Sequence, residues 1–217
     1  MASAFPGSPR VLKGALVVFE TPAPVPTNII AFQFNPDSVT RTFRQQLEQE
    51  DPYRSAGDSW FVLPPTESLS MSVELDASDQ LEAGDAAAIA TGLHPTLAAL
   101  ELLLYPSSID LIVDKALALA GSARVRPLRV PIVLLVWGPL RVLPVRVESV
   151  SITEEAFDPR LNPIRAKISL GLRVLTVADV GFDNRSGTLF LSYLRSREAL
   201  AQKAPAGSLA NLGIGGL

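Results

Sequence analysis

The stretch that decides the fold is Ile164-Arg165-Ala166-Lys167-Ile168-Ser169-Leu170-Gly171-Leu172-Arg173-Val174. Its even-numbered residues are apolar, whereas its odd-numbered residues are charged, polar or glycine. Side chains of a β-strand point alternately to the two faces of a sheet, so this pattern predicts a long strand with one buried face. The basic side chains on the other face are typical of an antiparallel sheet whose outer face is wet.

The segments that precede this stretch continue the β pattern. Ile132–Trp137 is an apolar run that ends at Gly138-Pro139, which predicts a buried strand. Apolar residues then alternate with polar ones but change parity midway, from Leu143, Val145 and Val147 to Val150 and Ile152. A slip of one residue predicts a β-bulge near Glu148–Ser149.

The first half of the chain contains further strands. Ser68–Leu75 alternates cleanly, with Leu69, Met71, Val73 and Leu75 on one face. Lys13–Phe19 and Asn28–Phe34 are shorter apolar runs that also predict strands. Between them and Ser68, the polar segment Arg41–Ser59 predicts a long solvated loop or an extended hairpin.

Two segments have the features of helices. Pro95–Tyr105 starts with a proline at a first helical position and stops before Pro106, so it predicts a central helix, which Ile109–Leu119 extends by a turn or two. Thr188–Gln202 predicts an amphipathic C-terminal helix with an apolar side formed by Leu189, Leu191, Leu194 and Leu200.

Together these elements predict an α+β, β-rich fold: an antiparallel β-barrel, closed or half-closed, with a central and a C-terminal helix. The domain organisation follows the same pattern. We expect a flexible N-terminal arm over residues 1–11 and the barrel domain over residues 12–178. A C-terminal helical extension over residues 179–203 and a flexible tail over residues 204–217 complete the prediction.

Composition narrows the class of protein. The chain has 217 residues, of which 47% are hydrophobic, and a formal net charge of −3, which excludes a disordered chain and disfavours a nucleic-acid partner. Mean hydropathy is +0.27, yet the richest apolar run, Val130–Leu140, contains two prolines and is shorter than a membrane-spanning helix. The apolar surplus therefore predicts either a subunit interface or an unusually apolar core.

The residues needed for common chemistries are missing or misplaced. Cysteine is absent, which excludes thiolate sites and fits a reducing compartment, and His94 is the single histidine. Gly57-Asp58-Ser59 is similar to the start of an esterase block but lacks a downstream Asp-x-x-His. The spacing of Asp76, Asp79, Glu82 and Asp85 does not fit an EF-hand and predicts a solvated loop or a helix start. We therefore predict no enzyme, no metal and no cofactor.

Several phrases, taken in order, resemble the tube-adaptor domain of contractile injection systems, the phage-tail-like particles that drive a rigid tube through an envelope. The resemblance runs over roughly residues 12–178 and rests on Phe32-Gln33-Phe34-Asn35-Pro36, Leu69–Asp76, Gly92–Glu101, Val136-Trp137-Gly138-Pro139, Ile152–Asp158 and Leu161–Ala166. The residues singled out as structural motifs are Phe34, Asn35, Pro36, Trp137, Gly138, Pro139, Phe157, Asp158, Asn162 and Pro163.

What the resemblance implies is a barrel of the phage tail-tube type, built into a hexameric ring around a central channel. Relatives sit in the baseplate between the spike hub and the inner tube, which would make the hub protein, the inner-tube protein and other baseplate subunits its partners. Many carry a C-terminal LysM module, for which Ser208–Leu217 is too short. The expected location is the cytoplasm, within an assembled particle, with no membrane insertion.

Two local expectations complete this interpretation. Asn35-Pro36 and Trp137-Gly138-Pro139 should end strands in fixed turns, with the Asn35 side chain bonded to its own backbone. The polar segment Arg41–Ser59 is either an arm that contacts a neighbouring subunit or a disordered solvent loop. As an arm, it would use candidate interface residues Arg41, Phe43, Arg44, Leu47, Tyr53 and Arg54.

The sequence leaves several functions open. A baseplate tube adaptor is the favoured hypothesis. The alternatives are a main inner-tube subunit of the same particle, a monomeric ligand-binding barrel and, disfavoured by the residue inventory, a hydrolase.

Overall fold

The structure, a computed structural model, describes residues 12–19, 25–46, 63–119, 121 and 131–204. Its strands are β1 (Ala15–Phe19), β2 (Asn28–Ala31), β3 (Val39–Gln46), β4 (Leu63–Asp76), β5 (Ile132–Val136), β6 (Val142–Phe157) and β7 (Pro163–Val174). Its helices are α1 (Ser78–Glu82), α2 (Ala86–Thr91), α3 (His94–Glu101), α4 (Ser108–Leu119), α5 (Val177–Val180) and α6 (Arg185–Ala201). The strands form one antiparallel sheet in the order β2-β1-β5-β6-β7-β4-β3.

Strand β7 has the register that its alternation predicts. It lies between β6 and β4, and Ala166, Ile168, Leu170, Leu172 and Val174 are all at most 2% exposed. Arg165, Lys167 and Ser169 are exposed on the opposite face. The prediction is confirmed, and β4 shows the same pattern over Leu69–Leu75.

The predicted β-bulge is also confirmed. The pairing of β6 with β7 shifts by one residue between Val147 and Ser149, which places Ser149 opposite Gly171. A Cβ atom at Gly171 would lie 2.3 Å from Ser149 Oγ. The glycine in the alternating stretch is therefore explained, since a side chain there would collide with the bulged strand.

The polar segment Arg41–Ser59, for which the sequence left a loop and an extended hairpin open, begins within a strand. Val39–Gln46 is not a loop but strand β3, which pairs antiparallel with β4, Arg41 opposite Leu69. Because β3 is the last of the described strands in the sheet, most of its side chains are exposed to solvent, and polar residues are tolerated there. The hairpin alternative therefore holds for the described part, and residues 47–62 lie outside the described residues.

The predicted closure into a barrel is not confirmed. Within the described ranges, β2 and β3 are the two edge strands and do not pair with each other. The segment after β2 does reach the end of β4, which lies next to the opposite edge strand. There Gln33 Nε2 donates to the Asp76 carbonyl at 2.7 Å, and Gln33 Oε1 accepts from the Asp76 amide at 2.8 Å. The observed architecture is thus an open, seven-stranded sheet with helices.

One hydrophobic core covers the face of the sheet that holds Ile168. Leu97, Leu100 and Leu103 contribute from α3 and the turn after it, and Phe190 and Tyr193 contribute from α6. Helix α3 is shorter than predicted and ends at Glu101, whereas α4 is a full helix of 12 residues. None of the helices in the described ranges is long and apolar enough to cross a membrane.

The apolar side predicted for the C-terminal helix is wrong. The buried residues of α6 are Ser186, Gly187, Phe190 and Tyr193, while Leu189, Leu191, Leu194 and Leu200 are half-buried or exposed. A Cβ atom at Gly187 would lie 2.2 Å from the Gly181 carbonyl oxygen. Small residues at the start of α6 therefore allow close packing, and this orientation brings the aromatic residues rather than the leucines onto the sheet.

Candidate assembly surfaces

The motif Phe32–Pro36 ties three parts of the fold together. Phe32 is buried in the core, and Gln33 is bonded to the end of β4 as described. The sequence suggested that the Asn35 side chain bonds its own backbone, and this prediction is wrong. Its Oδ1 accepts from the Gly14 amide and its Nδ2 donates to the Leu12 carbonyl, both at 2.8 Å, so this side chain fixes the segment that enters β1. Phe34 is 54% exposed and Pro36 is half-buried.

The motif Trp137-Gly138-Pro139 forms the predicted turn between β5 and β6. The Trp137 amide donates to the Arg141 carbonyl at 2.8 Å, and Gly138 has a φ of 75°, which favours glycine. The Trp137 ring lies 6.3 Å from the Phe32 ring, centroid to centroid. A Cβ atom at Gly14 would lie 2.7 Å from the Trp137 ring, so glycine is needed where the two motifs meet.

The motif residues Phe157–Pro163 build the tip of the hairpin between β6 and β7. Asp158 Oδ1 accepts from the amides of Arg160 and Asn162 at 2.7 and 2.8 Å, and its Oδ2 accepts from Asn162 Nδ2 at 2.8 Å. The Pro163 carbonyl accepts from the Leu93 amide at 2.9 Å. The hairpin tip is therefore attached to the start of α3, and two motifs that are distant in sequence meet in space.

The hydrogen bonds at this tip change the acidity of Asp158. The backbone amide of Asn162, followed by its side-chain amide, lowers the pKa of Asp158 from 3.8. A carboxyl whose pKa is lower in the folded state adds stability above its unfolded pKa, and this contribution is lost as the pH falls through the folded pKa.

We expect Asp158→Ala to lower the thermal midpoint at neutral pH, because three hydrogen bonds lose their acceptor. The difference from the wild type should begin to shrink as the pH falls below about 4, the unfolded-state pKa, and should be lost as the pH falls through the lower pKa of the folded carboxyl. Thermal unfolding followed by circular dichroism between about pH 7 and pH 2.5 measures this. Glu154→Ala, at an exposed position of the same hairpin, is the control. A difference for Asp158→Ala that stays constant over the whole pH range would contradict the assignment.

The candidate interface residues of the polar segment are separated by the alternation of β3. Arg41 and Phe43 share a face with Leu69 and Glu67, their partners on β4, whereas Arg44 lies on the opposite face. Phe43 is 44% exposed. Leu47, Tyr53 and Arg54 lie outside the described residues.

Arg41 belongs to a charged cluster that sequence reasoning missed. Glu67 is only 4% exposed, and its Oε1 accepts from Arg41 Nε at 2.9 Å and also from Arg41 Nη2. Arg41 Nη2 donates further to Tyr193 Oη at 2.7 Å, and Arg197 Nη1 lies 3.5 Å from Glu67 Oε2. The signal was available, because Glu67 has the same odd parity as Leu69 and Met71, the buried side of β4.

This cluster attaches α6 to the edge of the sheet. The guanidinium carbons of Arg41 and Arg197 lie 5.0 and 5.1 Å from the centroid of the Phe43 ring, within the range of a cation–π contact. A buried carboxylate needs such partners, because an unpaired charge removed from water is strongly unfavourable. We name Arg41, Phe43, Glu67, Tyr193 and Arg197 the edge cluster.

The other face of the sheet is polar across four adjacent strands. Paired positions on β3, β4, β7 and β6 place short hydroxyl side chains and charges next to each other. We call this the polar sheet face, and it comprises Thr40, Thr42, Ser68, Ser70, Ser72, Glu74, Arg146, Ser149, Ser151, Thr153, Arg165, Lys167, Ser169 and Arg173. A groove of about 600 Å³ on it is lined by Arg44 and Arg173 among others.

Acidic residues after β4 serve the helices that follow. Asp85 Oδ1 accepts from the amides of Ala87 and Ala88 at 2.8 and 3.1 Å and so caps α2, which confirms the helix-start interpretation for this residue. His94 is the exposed first residue of α3. Within the described ranges, histidine and carboxylate side chains do not form a group of three or more that could hold a metal ion.

Comparison with known families gives this fold a class. Residues 16–176 match the family described as contractile injection system tube protein. The matched region is well over half of the chain, so the chain belongs to this family of structural tube proteins. Comparison with curated proteins finds no match.

Proposed function

We propose that the chain is a structural baseplate subunit of a contractile injection system, and that it joins the spike hub to the inner tube as part of a ring. The family match over residues 16–176 carries this proposal, because the members of this family build tubes. The resemblance of its ordered motifs to tube adaptors supports the finer role. Under this proposal the chain has no catalytic activity, and its partners are the hub protein, the inner-tube protein and other baseplate subunits.

The polar sheet face is the surface that we propose to line the channel of the ring. Its hydroxyl and paired charged side chains, such as Glu74 with Lys167 at 3.7 Å, keep water at the surface and offer little apolar area to a passing object. The opposite face is covered by the core and by α3 and α6. In this orientation the helices lie on the outside of the ring.

Edge strand β3 and the segment after it remain our proposed contact with a neighbouring subunit. Among the described strands, β3 is the last of the sheet, and an edge strand provides backbone donors and acceptors for a second chain. The exposed Phe43 ring lies on this edge, and Arg44 projects to the other face. The proposed arm would continue through Leu47, Tyr53 and Arg54.

The location and number of copies in the particle test the proposed function. We expect quantitative mass spectrometry of purified particles to find one ring of copies, and immunogold electron microscopy to label one end. Labelling along the whole tube, with many more copies, would instead establish the alternative role as main inner-tube subunit. A chain absent from intact particles would contradict both roles.

A further inference from the structure

Three arginines lie at one end of the polar sheet face. Arg146 on β6 is directly opposite Arg173 on β7, and Arg173 is in turn opposite Ser68 on β4. At the next position of the same face, Arg44 on β3 is opposite Thr66. We name Arg44, Arg146 and Arg173 the arginine cluster. Since Arg44 and Arg173 both line the groove of about 600 Å³, the cluster borders a concave surface.

The pairing of Arg146 with Arg173 is unfavourable for the fold, because like charges directly opposite each other on neighbouring strands destabilise a sheet. One carboxylate offsets part of this repulsion. Asp179 accepts from Arg173 Nη2, and its second oxygen accepts from the Thr176 amide and hydroxyl. Among the described residues, Arg44 and Arg146 form no ion pair. The cluster therefore keeps two guanidinium groups without a counter-charge, and a bound anion would supply one.

The surroundings of the cluster fit the carboxylate groups of a polypeptide. Thr42, Ser68 and Ser70 line the groove with hydroxyl groups, which donate hydrogen bonds to an anion. A guanidinium group holds a carboxylate through two parallel hydrogen bonds. Gly171 adds no side chain to the lining, so an extended chain has room to approach the sheet. Glu148 also lines the groove, which keeps its net positive charge small and disfavours a densely charged ligand.

We propose that the arginine cluster binds an extended acidic segment of another polypeptide. Three arginines are too few for the row of phosphate contacts on which nucleic-acid affinity depends, and the net charge of −3 opposes such a partner. This inference rests on the proposed function, under which the polar sheet face lines the channel of the ring. The channel then contains one arginine cluster for each copy, and several clusters hold one segment more tightly than a single cluster does.

Fluorescence anisotropy of a labelled oligoglutamate peptide, titrated with the purified full chain at low ionic strength, tests the site. We expect the wild type to bind the peptide and Arg44→Gln/Arg146→Gln to weaken binding by roughly tenfold or more, because two charge-assisted contacts are lost. The matched control is Arg195→Gln/Lys203→Gln, which removes the same charge at two exposed positions in and just after α6. It should bind the peptide like the wild type.

Two single variants separate binding from a structural role. Glu148→Gln should strengthen binding of the peptide, because it removes a negative charge from the groove. Arg146→Gln should leave the thermal midpoint unchanged or raise it, because it relieves the repulsion between Arg146 and Arg173. A clearly lower midpoint would show that the fold itself needs Arg146, and it would overturn the proposal.

The same titration gives the other outcomes that would overturn the proposal. One is equal binding of the peptide by the wild type and Arg44→Gln/Arg146→Gln, and another is equal weakening in the α6 control. Tighter binding of a single-stranded DNA oligonucleotide with the same net charge would show that the partner is a nucleic acid. Displacement of the peptide by inorganic phosphate at the concentration of its carboxylates would show that the cluster binds any small anion.

Peptide binding is measured without particles, so its failure is distinguishable from failure of the proposed function. If the chain forms one ring in the particle and the peptide does not bind, the site is wrong and the function stands. If the peptide binds through the arginine cluster but the chain is absent from particles, the function is wrong and the site stands.

Discussion

Ile168→Asp is expected to prevent the chain from folding. Ile168 is 0% exposed in the centre of β7, and it pairs with Val73 on β4 and Ile152 on β6. A carboxylate there would be surrounded by aliphatic side chains with neither water nor a cation, which costs several kcal/mol. Since a domain is stable by only about 5–15 kcal/mol, the variant should be insoluble or show no cooperative unfolding transition.

Ser169→Asp is the matched control for this prediction. It adds the same charge one residue further along β7, on the polar sheet face between Ser72 and Ser151. Its unfolding free energy should change by less than about 0.5 kcal/mol. Comparable urea denaturation curves for the two variants would mean that the register of β7 is wrong.

This part of the fold could be predicted because the two faces of each central strand differ in polarity, and this difference is visible in the order of the residues. A buried face opposite a wet face gives strict alternation, as in β7 and β4, and the change of parity after Val147 revealed the bulge. These signals are local. They depend only on which residues share a face, and the structure confirms them.

The remaining part depended on tertiary contacts that periodicity does not record. Strand β3 is polar because it lies at the edge; of its apolar residues, Val39 packs against the core and Phe43 lies under two guanidinium groups. In helix α6, Gly187 lies against the Gly181 carbonyl while Phe190 and Tyr193 lie in the core, so a count of leucines selected the wrong side.

The candidate interface was located from composition, and of its described residues Arg41 and Phe43 lie on one face of β3 and Arg44 on the other. Arg41 is bonded to the buried Glu67 of the same chain, although a charged segment usually predicts a surface exposed to solvent. The exposed apolar residues of α4 went unnoticed for the opposite reason. An apolar helix predicts burial in the core, and only the structure shows that Ile109, Ile112 and Leu119 point outwards.

The second large effect is expected at the edge cluster, where Glu67→Gln should destabilise the protein by about 2–3 kcal/mol. Breaking a fully buried ion pair costs about 3–5 kcal/mol, and the loss should be smaller here because both arginines reach solvent. The amide leaves Arg41 and Arg197 as two positive charges at one aromatic ring, without a counter-charge. Because Arg41 also bonds Tyr193, α6 should loosen first, and its amides should exchange faster with deuterium than those of β7.

Glu74→Gln decides whether this loss comes from burial or merely from removing a carboxylate. Glu74 lies on the same strand, its side chain is 66% exposed, and its partner Lys167 is 3.7 Å away, so we expect a change below about 0.5 kcal/mol. The double variant Glu67→Gln/Arg41→Gln should lose less stability than the sum of its single variants, because the second substitution removes a charge that the first left unpaired. Equal losses for Glu67→Gln and Glu74→Gln in urea denaturation, or strictly additive losses in the double variant, would show that the edge cluster does not hold α6 against the sheet.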